Sequence, residues 1–199
     1  MEHKMKAGRH LDLGCGKKPR NPYGYDQLFG IDIVRHTELA NNVDFRLSNL
    51  TMEPIPYPAG HFDAVSAFDF IEHIPRILPS GITTTRFPFI ELMNEIWRVL
   101  KPDGTFYALT PAYPGVEAFQ DPTHVNIITD STHEYFCGDD PYARNYGFKG
   151  KFAVMRAEWI DGKNANTADW SWRKTVRGWH RTVTQGKKTH FLWELRALK

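Results

Sequence analysis

The sequence predicts an α/β fold in which a mainly parallel sheet is covered by helices. Short apolar runs alternate with longer mixed segments along the chain, as expected for successive β/α units. A glycine-rich turn, Gly14-Cys15-Gly16, directly follows the first apolar run. The chain has 199 residues, of which 41% are hydrophobic, and this suits a single domain with one core over residues 1–199.

The individual elements follow from local patterns of apolar residues and helix breakers. Strands are expected at residues 9–13, 28–33, 44–47, 62–70 and 105–110. Residues 89–100 carry apolar side chains at helical spacing, and Pro102 and Gly104 are expected to end this helix. A short helix near residues 130–136 and two late strands, at 152–160 and 190–198, complete the prediction.

Parallel sheets of this kind bind ligands beyond the carboxyl ends of their strands. The loops expected at that edge are residues 14–22, 32–40, 69–79 and 111–124. These four loops are therefore the expected location of the functional residues.

Charge is balanced over the whole chain but not along it. The sequence has 25 Lys and Arg residues against 23 Asp and Glu residues. A basic segment, residues 161–190, contains seven basic and two acidic residues together with Trp170, Trp172 and Trp179. It is interpreted either as an amphipathic element that packs its tryptophans on the sheet, or as a contact surface for RNA, a phosphorylated lipid-linked sugar or a membrane face.

The sequence shows no pattern typical of targeting or of disulfide cross-linking. No apolar run approaches the roughly 20 residues of a membrane span, and no apolar stretch follows the first basic residues as in a secretory signal. The two cysteines, Cys15 and Cys137, cannot build a disulfide framework. We therefore expect a reduced, cytoplasmic protein without a transmembrane segment.

The turn after the first strand has the composition of a nucleotide-binding loop. Its glycines, Gly14 and Gly16, allow the backbone to approach a nucleotide-like ligand without a Cβ clash. Asp32 ends the next strand 18 residues after Gly14, close to the offset of a ribose-binding acid. Pro19 stands where a dinucleotide fingerprint has its third glycine, which disfavours a nicotinamide-dependent oxidoreductase.

Four collinear stretches carry a family resemblance: residues 11–16 (LDLGCG), 29–33 (FGIDI), 62–73 (FDAVSAFDFIEH) and 95–110 (EIWRVLKPDGTFYALT). Through them the sequence resembles the class I S-adenosylmethionine-dependent methyltransferases over about residues 9–111. The resemblance implies a Rossmann-like doubly wound, mainly parallel seven-stranded sheet with an antiparallel last strand and helices on both faces. It also implies S-adenosylmethionine as the cofactor and S-adenosylhomocysteine as the product.

The resemblance assigns the first cofactor-binding residues by their position. Gly14 and Gly16 would lie under the methionine and ribose parts of the cofactor, and Asp12 would help to hold the amino group. Asp32 would accept hydrogen bonds from the ribose hydroxyls. Cys15, inside the turn, is expected to fill space there.

The later motifs complete the implied cofactor site. Ile33 would pack on the adenine, and Asn49, followed by Leu50, would contact the adenine amine. Asn49 stands where the family often has an acid, and its amide can both donate and accept hydrogen bonds. The residues that close the fourth strand would border the methionine and the reacting methyl group: Phe68, Asp69 and Phe70.

Two departures from the family pattern concern the cover of the site. Residues 16–28 are few and contain two prolines, so the first helix is expected to be reduced to a turn. Only eight residues precede the first strand, so the N-terminal helix that often covers the site in this family is expected to be missing. A lid would then come from residues 75–87, from residues 112–150 or from the basic segment, unless the second subunit of a homodimer closes the site.

Methyl transfer is an in-line displacement that needs alignment and sometimes a base. Three residues are candidate catalytic groups: His73 after the fourth strand, and Tyr113 and His124 after the fifth. Asp121 is close to His124 in sequence and could pair with its ring. Each candidate also has a structural interpretation, as a pocket wall for His73, a packed turn for His124 and a core residue for Tyr113.

A metal cofactor is not predicted. His133 and Cys137 stand four residues apart, a spacing that metal ligands can have on a helix, but no second His or Cys pair lies near them in sequence. S-adenosylmethionine is therefore the one cofactor expected.

The function predicted from these features is methyl transfer from S-adenosylmethionine to an oxygen or nitrogen of a small-molecule or saccharide acceptor. Residues 9–111 would form the cofactor-binding half, and residues 112–199 the substrate and lid half. Three alternatives stay open: an RNA or DNA methyltransferase that uses the basic segment, a non-catalytic S-adenosylmethionine-binding protein, and a nicotinamide-dependent oxidoreductase, which Pro19 disfavours. Tight, salt-sensitive nucleic-acid binding would identify the first, and cofactor binding without turnover the second.

Overall fold

The computed structural model describes residues 5–161 and 188–199. Nine strands lie in these ranges: β1 (Lys6–Leu13), β2 (Tyr25–Asp32), β3 (Val43–Leu47), β4 (Phe62–Phe68), β5 (Leu78–Pro79), β6 (Thr85–Arg86), β7 (Leu100–Pro111), β8 (Phe152–Ile160) and β9 (His190–Ala197). The same ranges contain two α-helices, α1 (Pro88–Val99) and α2 (Glu117–Gln120), and three 3-10 helices, Ile71–His73, Thr132–Phe136 and Tyr142–Tyr146. Within them, no helix is both long and apolar enough to cross a membrane.

Seven of the strands form one sheet in the order β3-β2-β1-β4-β7-β9-β8. The first five strands of this order are parallel to one another, whereas β9 is antiparallel to both of its neighbours. β5 and β6 form a separate antiparallel ribbon. The predicted fold class is confirmed: a mainly parallel seven-stranded sheet with an antiparallel last strand and flanking helices.

The carboxyl ends of the parallel strands meet at one edge of the sheet, which we call the functional edge. Because β9 is antiparallel, its first residue, His190, lies at this edge opposite Pro111, the last residue of β7. Ile160, the last residue of β8, pairs with His190 from the other side. β8 therefore ends, and β9 begins, at the functional edge, and residues 162–187 lie outside the described ranges.

Helix α1 supplies the main core on one face of the sheet. Its apolar residues recur every three or four positions and are buried: Phe89, Leu92, Met93, Ile96 and Val99. They pack in the core with Val65, Phe106 and Trp193 from the sheet. Pro88 occupies the first turn of the helix, where its missing N–H would have no partner within the helix.

The opposite face of the sheet carries a smaller apolar cluster. It consists of Phe68, Tyr107, Leu109 and Leu192, with Tyr23 and Ile160 packed against it. Tyr23 comes from the connection between β1 and β2, which contains turns and no helix. The predicted reduction of the first helix to a turn is thus confirmed.

Two elements are shorter than the sequence predicts. β4 ends at Phe68 rather than at residue 70, because Asp69 adopts a left-handed conformation with φ of 49° and turns the chain. The helix expected near residues 130–136 is a 3-10 helix, Thr132–Phe136. The early end of β4 is functionally relevant because it turns Asp69 out of the strand at the functional edge.

The sequence prediction of what ends α1 is wrong. The helix ends at Val99, since Leu100 is already extended with φ of −66° and ψ of 145°. The chain continues directly into β7, whose residues 101–104 bulge opposite β4. Pro102 and Gly104 therefore lie in a strand bulge instead of ending the helix.

Candidate cofactor and acceptor site

The turn that follows β1 is built around two glycines in left-handed conformations. Gly14 has φ of 63° and Gly16 has φ of 56°, a region that residues with a Cβ rarely adopt. A Cβ on Gly14 would lie 2.5 Å from Cδ2 of Phe70, whereas a Cβ on Gly16 would meet nothing within 4 Å. Gly14 thus permits close packing against the residue that follows Asp69, and Gly16 leaves open space beside the turn.

Cys15 lies between these glycines and is buried beneath the turn. Its side chain is 2% exposed, and its amide donates a hydrogen bond to the carbonyl of Ile31 at 3.1 Å. A Cβ on Gly30 would lie 2.8 Å from its Sγ atom. Burial raises the pKa of the Cys15 thiol to about 12, so the side chain stays neutral and fills space.

Asp32 connects the end of β2 to the glycine turn. Its Oδ2 accepts a hydrogen bond from the amide of Gly16 at 2.9 Å, and its Oδ1 accepts one from the amide of Val34 at 3.0 Å. Each carboxylate oxygen can accept a second hydrogen bond, so the group is oriented and still able to bind hydroxyls. Ile33 follows with 66% of its surface exposed and offers an apolar face beside it.

The two residues predicted after β3 have different environments. Asn49 is exposed, and its Oδ1 accepts a hydrogen bond from the amide of Thr51 at 3.1 Å. Leu50 is buried in the main core at 6% exposure and offers little surface to a ligand. Of this predicted pair, Asn49 has the side chain accessible for recognition.

A buried chain of polar groups lies under the glycine turn. Nε2 of His10 lies 2.8 Å from Oγ of Ser66, and Ser66 donates to Oδ1 of Asp12 at 2.6 Å. Oδ2 of Asp12 accepts a hydrogen bond from the amide of Arg20 at 2.8 Å. At 1% exposure, Asp12 supports the turn from below with both carboxylate oxygens. The role implied for it, to hold the cofactor's amino group, stays a prediction.

Burial shifts the pKa values of the two titratable side chains in this row of polar groups, His10 and Asp12, in opposite directions. Burial raises the pKa of Asp12 to about 6 and lowers the pKa of His10 to about 3. Below pH 6.5 the unfolded state binds a proton on His10 that the folded state excludes, so this group destabilises the fold as the pH falls from 6.5 to 3. Asp12 acts in the opposite direction between pH 6 and 4, because its folded state takes up the proton first.

The variant His10→Phe is expected to gain stability relative to the wild type in acid. Removal of the imidazole leaves Asp12 as the one group of this pair whose protonation changes stability with pH. As the pH falls from 7 to 4, the free energy of unfolding of the variant should therefore rise by about 3 kcal/mol relative to that of the wild type. Urea unfolding of both proteins at pH 4, 5, 6 and 7 measures this difference. If the free energies of unfolding of the variant and the wild type differ by the same amount at all four pH values, the lowered pKa assigned to His10 is contradicted.

Arg20 is a residue of the site that sequence reasoning missed. Its guanidinium stacks 4.3 Å from the centre of the Phe68 ring and donates to the Phe68 carbonyl at 3.2 Å. It also lies 3.9 Å from Oδ2 of Asp69. No motif contains this arginine, and its proximity to the predicted residues depends on the folding of the turn onto the end of β4.

Asp69 joins three parts of the chain at the functional edge. Its Oδ1 lies 3.1 Å from Nε2 of His190 at the start of β9, and its amide donates to the carbonyl of Leu109 in β7 at 2.8 Å. Together with Arg20, these contacts fix the carboxylate of Asp69 beside the glycine turn. His190 was also missed, because 121 residues separate it from Asp69.

The two candidate histidines, predicted independently, lie side by side. The rings of His73 and His124 are 4.8 Å apart and nearly perpendicular. Nδ1 of His73 lies 3.2 Å from the carbonyl oxygen of Thr123, and Nδ1 of His124 lies 3.3 Å from that of Ala118. The predicted partner of His124, Asp121, is 4.0 Å from its Nε2, so the carbonyl of Ala118 makes the closer contact.

Glu72, between Asp69 and these histidines, is a third residue that sequence reasoning missed. Its side chain is 1% exposed, and its Oε2 accepts a hydrogen bond from the hydroxyl of Thr110 at 2.9 Å. Its backbone carbonyl accepts hydrogen bonds from the amides of Val125 and Asn126. Burial raises the pKa of the Glu72 carboxyl to about 7. The available signal was the Glu-His pair at the end of the motif at residues 62–73.

A cavity of about 230 Å³ lies at the functional edge and is lined by several of these residues. Its polar wall includes Asp69, Glu72, Asp121, His124 and His190. Residues from β7, from β9 and from the segments that follow β4 and β7 therefore converge on one small polar space at the functional edge. We call it the acceptor cavity.

Other residues and segments to which the sequence analysis assigned a role do not line this cavity. Tyr113 is 55% exposed and packs its ring edge-on against Phe119. A larger groove of about 520 Å³ runs beside α1, and Leu50 is the one predicted residue among those that line it. The tryptophans and most charges of the basic segment lie in residues 162–187, outside the described ranges.

A family model described as "Methyltransferase domain" matches residues 2–194. The chain belongs to the methyltransferase domain family. Its membership confirms the resemblance to the S-adenosylmethionine-dependent methyltransferases and the enzyme class predicted from the four motifs. A search of curated proteins finds no match to this methyltransferase.

Solved structures share the fold of this methyltransferase at low sequence identity. An S-adenosylmethionine-dependent methyltransferase from Mesorhizobium loti has a TM-score of 0.59 and 13% identity, with 96% of this chain and 92% of that chain covered. The 1,6-didemethyltoxoflavin-N1-methyltransferase of Burkholderia thailandensis, solved with its acceptor and S-adenosylhomocysteine, has a TM-score of 0.57 and 14% identity, covering 98% and 72%. The [4+2]-cyclase SpnF has a TM-score of 0.58 and 18% identity, covering 98% and 76%. At these identities the similarity shows the fold alone.

Proposed function

We propose that this methyltransferase transfers a methyl group from S-adenosylmethionine to an oxygen or nitrogen of a small-molecule or saccharide acceptor. The observation that carries the proposal is the Asp32 carboxylate, which is held by the amide of Gly16 at the functional edge. An oriented carboxylate beside a left-handed glycine turn has the chemistry to bind the vicinal hydroxyls of a ribose. Residues 9–111 would bind the cofactor, and residues 112–199 would select the acceptor.

The described residues have the chemical character needed to bind S-adenosylmethionine. The open space beside Gly16 gives room for a ligand next to the turn, and exposed Ile33 gives an apolar surface for the adenine. Asn49 would recognise the adenine amine with its side-chain amide. The guanidinium of Arg20 would attract the carboxylate of the methionine part, since it lies above Phe68 at the same edge.

When bound, S-adenosylmethionine supplies an electrophilic methyl group on its sulfonium sulfur. The protein's part is then to hold the acceptor in line with that methyl group and to keep water away. Phe70 and Asp69 would border the reacting atoms, because Phe70 packs on Gly14 and Asp69 lines the acceptor cavity. His124, which lines that cavity, would act on the acceptor together with His73, whose ring lies 4.8 Å from its own.

The size of the acceptor cavity favours a small acceptor group. About 230 Å³ can hold a single ring or the reacting end of a sugar. The Burkholderia thailandensis relative, which is named for a small-molecule acceptor, is consistent with this class of substrate. A nucleic-acid acceptor is the second candidate, since the basic segment is joined to the sheet at the same edge through Ile160 and His190.

Isothermal titration of the full chain with S-adenosylmethionine and S-adenosylhomocysteine tests the proposal. We expect one site per chain for each compound. Transfer of a radiolabelled methyl group to small molecules, saccharides and RNA, presented separately, then identifies the class of acceptor. A folded protein that binds neither compound would refute the proposed function, and methylation of RNA alone would replace the proposed acceptor class with the second candidate.

A further inference from the structure

Three potential metal ligands lie close together at the functional edge, and two of them, Glu72 and His124, line the acceptor cavity. Glu72, His73 and His124 each place one ligand atom, a carboxylate oxygen or an imidazole nitrogen, within 4.8 Å of the other two. The three residues come from two separate segments, one after β4 and one after β7. Around a single divalent ion, ligand atoms stand about 3–4 Å apart, since each lies about 2.1 Å from the metal. Side-chain movements of about 1 Å would therefore close the site.

The carboxylate of Glu72 provides an independent indication that a ligand belongs here. Its Oε1 is buried and has no hydrogen-bond partner within residues 5–161 and 188–199, while Oε2 accepts from Thr110. A buried carboxylate oxygen without a partner is costly. Because Glu72 lines the acceptor cavity at only 1% exposure, a cation in that cavity would satisfy this oxygen.

The surroundings of the two imidazoles favour metal ligation. Nδ1 of His124 lies near the carbonyl of Ala118. Nδ1 of His73 lies 3.0 Å from the hydroxyl and 3.2 Å from the carbonyl of Thr123, and because that hydroxyl donates to Oδ1 of Asp121 at 2.6 Å, both oxygens can accept the Nδ1 proton. A ring that donates its Nδ1 proton to a carbonyl presents an unprotonated Nε2, which is the form that binds metal. His124 is well fixed, because its side chain is only 9% exposed.

We propose that Glu72, His73 and His124 form a binding site for a divalent transition-metal ion at the wall of the acceptor cavity. Two imidazoles and one carboxylate suit Mn²⁺, Fe²⁺, Co²⁺ or Zn²⁺ better than Ca²⁺ or Mg²⁺, which prefer oxygen ligands. The nearby carboxylates of Asp69 and Asp121 add negative charge around the ion. No local spacing in the sequence pairs residue 124 with residues 72 and 73, so the sequence prediction of no metal cofactor did not consider this set.

The location of the site suggests what the ion would do. A cation in the acceptor cavity would bind an acceptor oxygen, lower the pKa of its hydroxyl and orient it toward the methyl donor. This role rests on the proposed function, whereas binding of the ion does not. The two statements can therefore be tested separately.

Titration of the metal-free full chain with Co²⁺, followed by visible absorption and without S-adenosylmethionine, tests the site. We expect one Co²⁺ per chain, and about tenfold or greater weakening of Co²⁺ binding in Glu72→Gln and in His124→Ala, because each variant removes a ligand. His36→Ala is the matched control, since it removes an imidazole that does not line the cavity and should leave Co²⁺ binding unchanged.

Thermal unfolding of the same variants by circular dichroism checks that they fold. Co²⁺ should raise the melting temperature of the wild type and of His36→Ala, and leave that of the two ligand variants unchanged. Absence of Co²⁺ binding by the wild type, or equal binding by all four proteins, would overturn the proposal. S-adenosylmethionine binding is measured in parallel: if it fails while Co²⁺ binds at this site, the proposed function fails and the metal site stands.

Discussion

Replacement of Asp32 by alanine is expected to abolish measurable binding of S-adenosylmethionine while the protein stays folded. The variant loses the two oxygens that would accept the ribose hydroxyls, and it releases the amide of Gly16, which Asp32 holds at 2.9 Å. Hydrogen bonds to a charged group contribute about 1.5–3 kcal/mol each. Loss of two such bonds corresponds to a decrease in affinity of about 100-fold or more.

A second carboxylate of the same strand provides a matched control. Asp26 lies at the opposite end of β2, where its Oδ1 accepts a hydrogen bond from the amide of Gly8 at 2.9 Å. Asp26→Ala therefore also removes a carboxylate that accepts a hydrogen bond from a backbone amide, but at the other end of the strand. Calorimetric titration should show wild-type affinity for Asp26→Ala. Equal affinities of the Asp32→Ala and Asp26→Ala variants would exclude the role of Asp32 in ribose binding.

Replacement of Gly14 by alanine is expected to lower both stability and cofactor affinity. The added methyl group would lie 2.5 Å from Cδ2 of Phe70, so either the ring or the turn must move. Gly14 also has φ of 63°, where a Cβ adds backbone strain. Overpacking of this kind costs about 1–3 kcal/mol, and displacement of Phe70 would disturb the border of the reaction site.

The variant Gly24→Ala separates backbone strain from the steric clash. Gly24 has φ of 66°, close to that of Gly14, but a Cβ there would meet nothing within 4 Å. Thermal unfolding and calorimetric titration should show a larger loss for Gly14→Ala than for Gly24→Ala. Further replacement of Phe70 by alanine should then restore part of the stability lost in Gly14→Ala. Identical behaviour of the two single variants would show that the contact with Phe70 is unimportant.

The elements that were predicted well are those whose signal is local. The helical spacing between Phe89 and Val99 and the short apolar strands can each be recognised in about ten residues, because burial on one face imposes a period. The glycine turn and Asp32 were found in the same way, from residues near strand ends. Pro102 and Gly104 misled the prediction, because a strand bulge and a helix end use the same residue types.

The parts of the site that were missed depend on contacts between distant residues. Thr123 lies beside His73 across 50 positions, and His190 lies beside Asp69 across 121. Arg20 reaches Phe68 across 48 positions. No local pattern contains such pairs, since the order of strands in the sheet brings them together. The same reason explains why His73 and His124 were proposed as separate candidates and not as neighbours.

The direction of β9 determines which of its residues reaches the acceptor cavity. Because β9 runs against β7 and β8 runs against β9, the chain leaves the sheet at Ile160 and returns at His190, on the edge that holds the acceptor cavity. Pro111, the last residue of β7, and His190, the first residue of β9, are paired at this edge, and both line the acceptor cavity. The sheet itself thus supplies part of the cavity wall, through a pair of residues that only the antiparallel direction of β9 brings together.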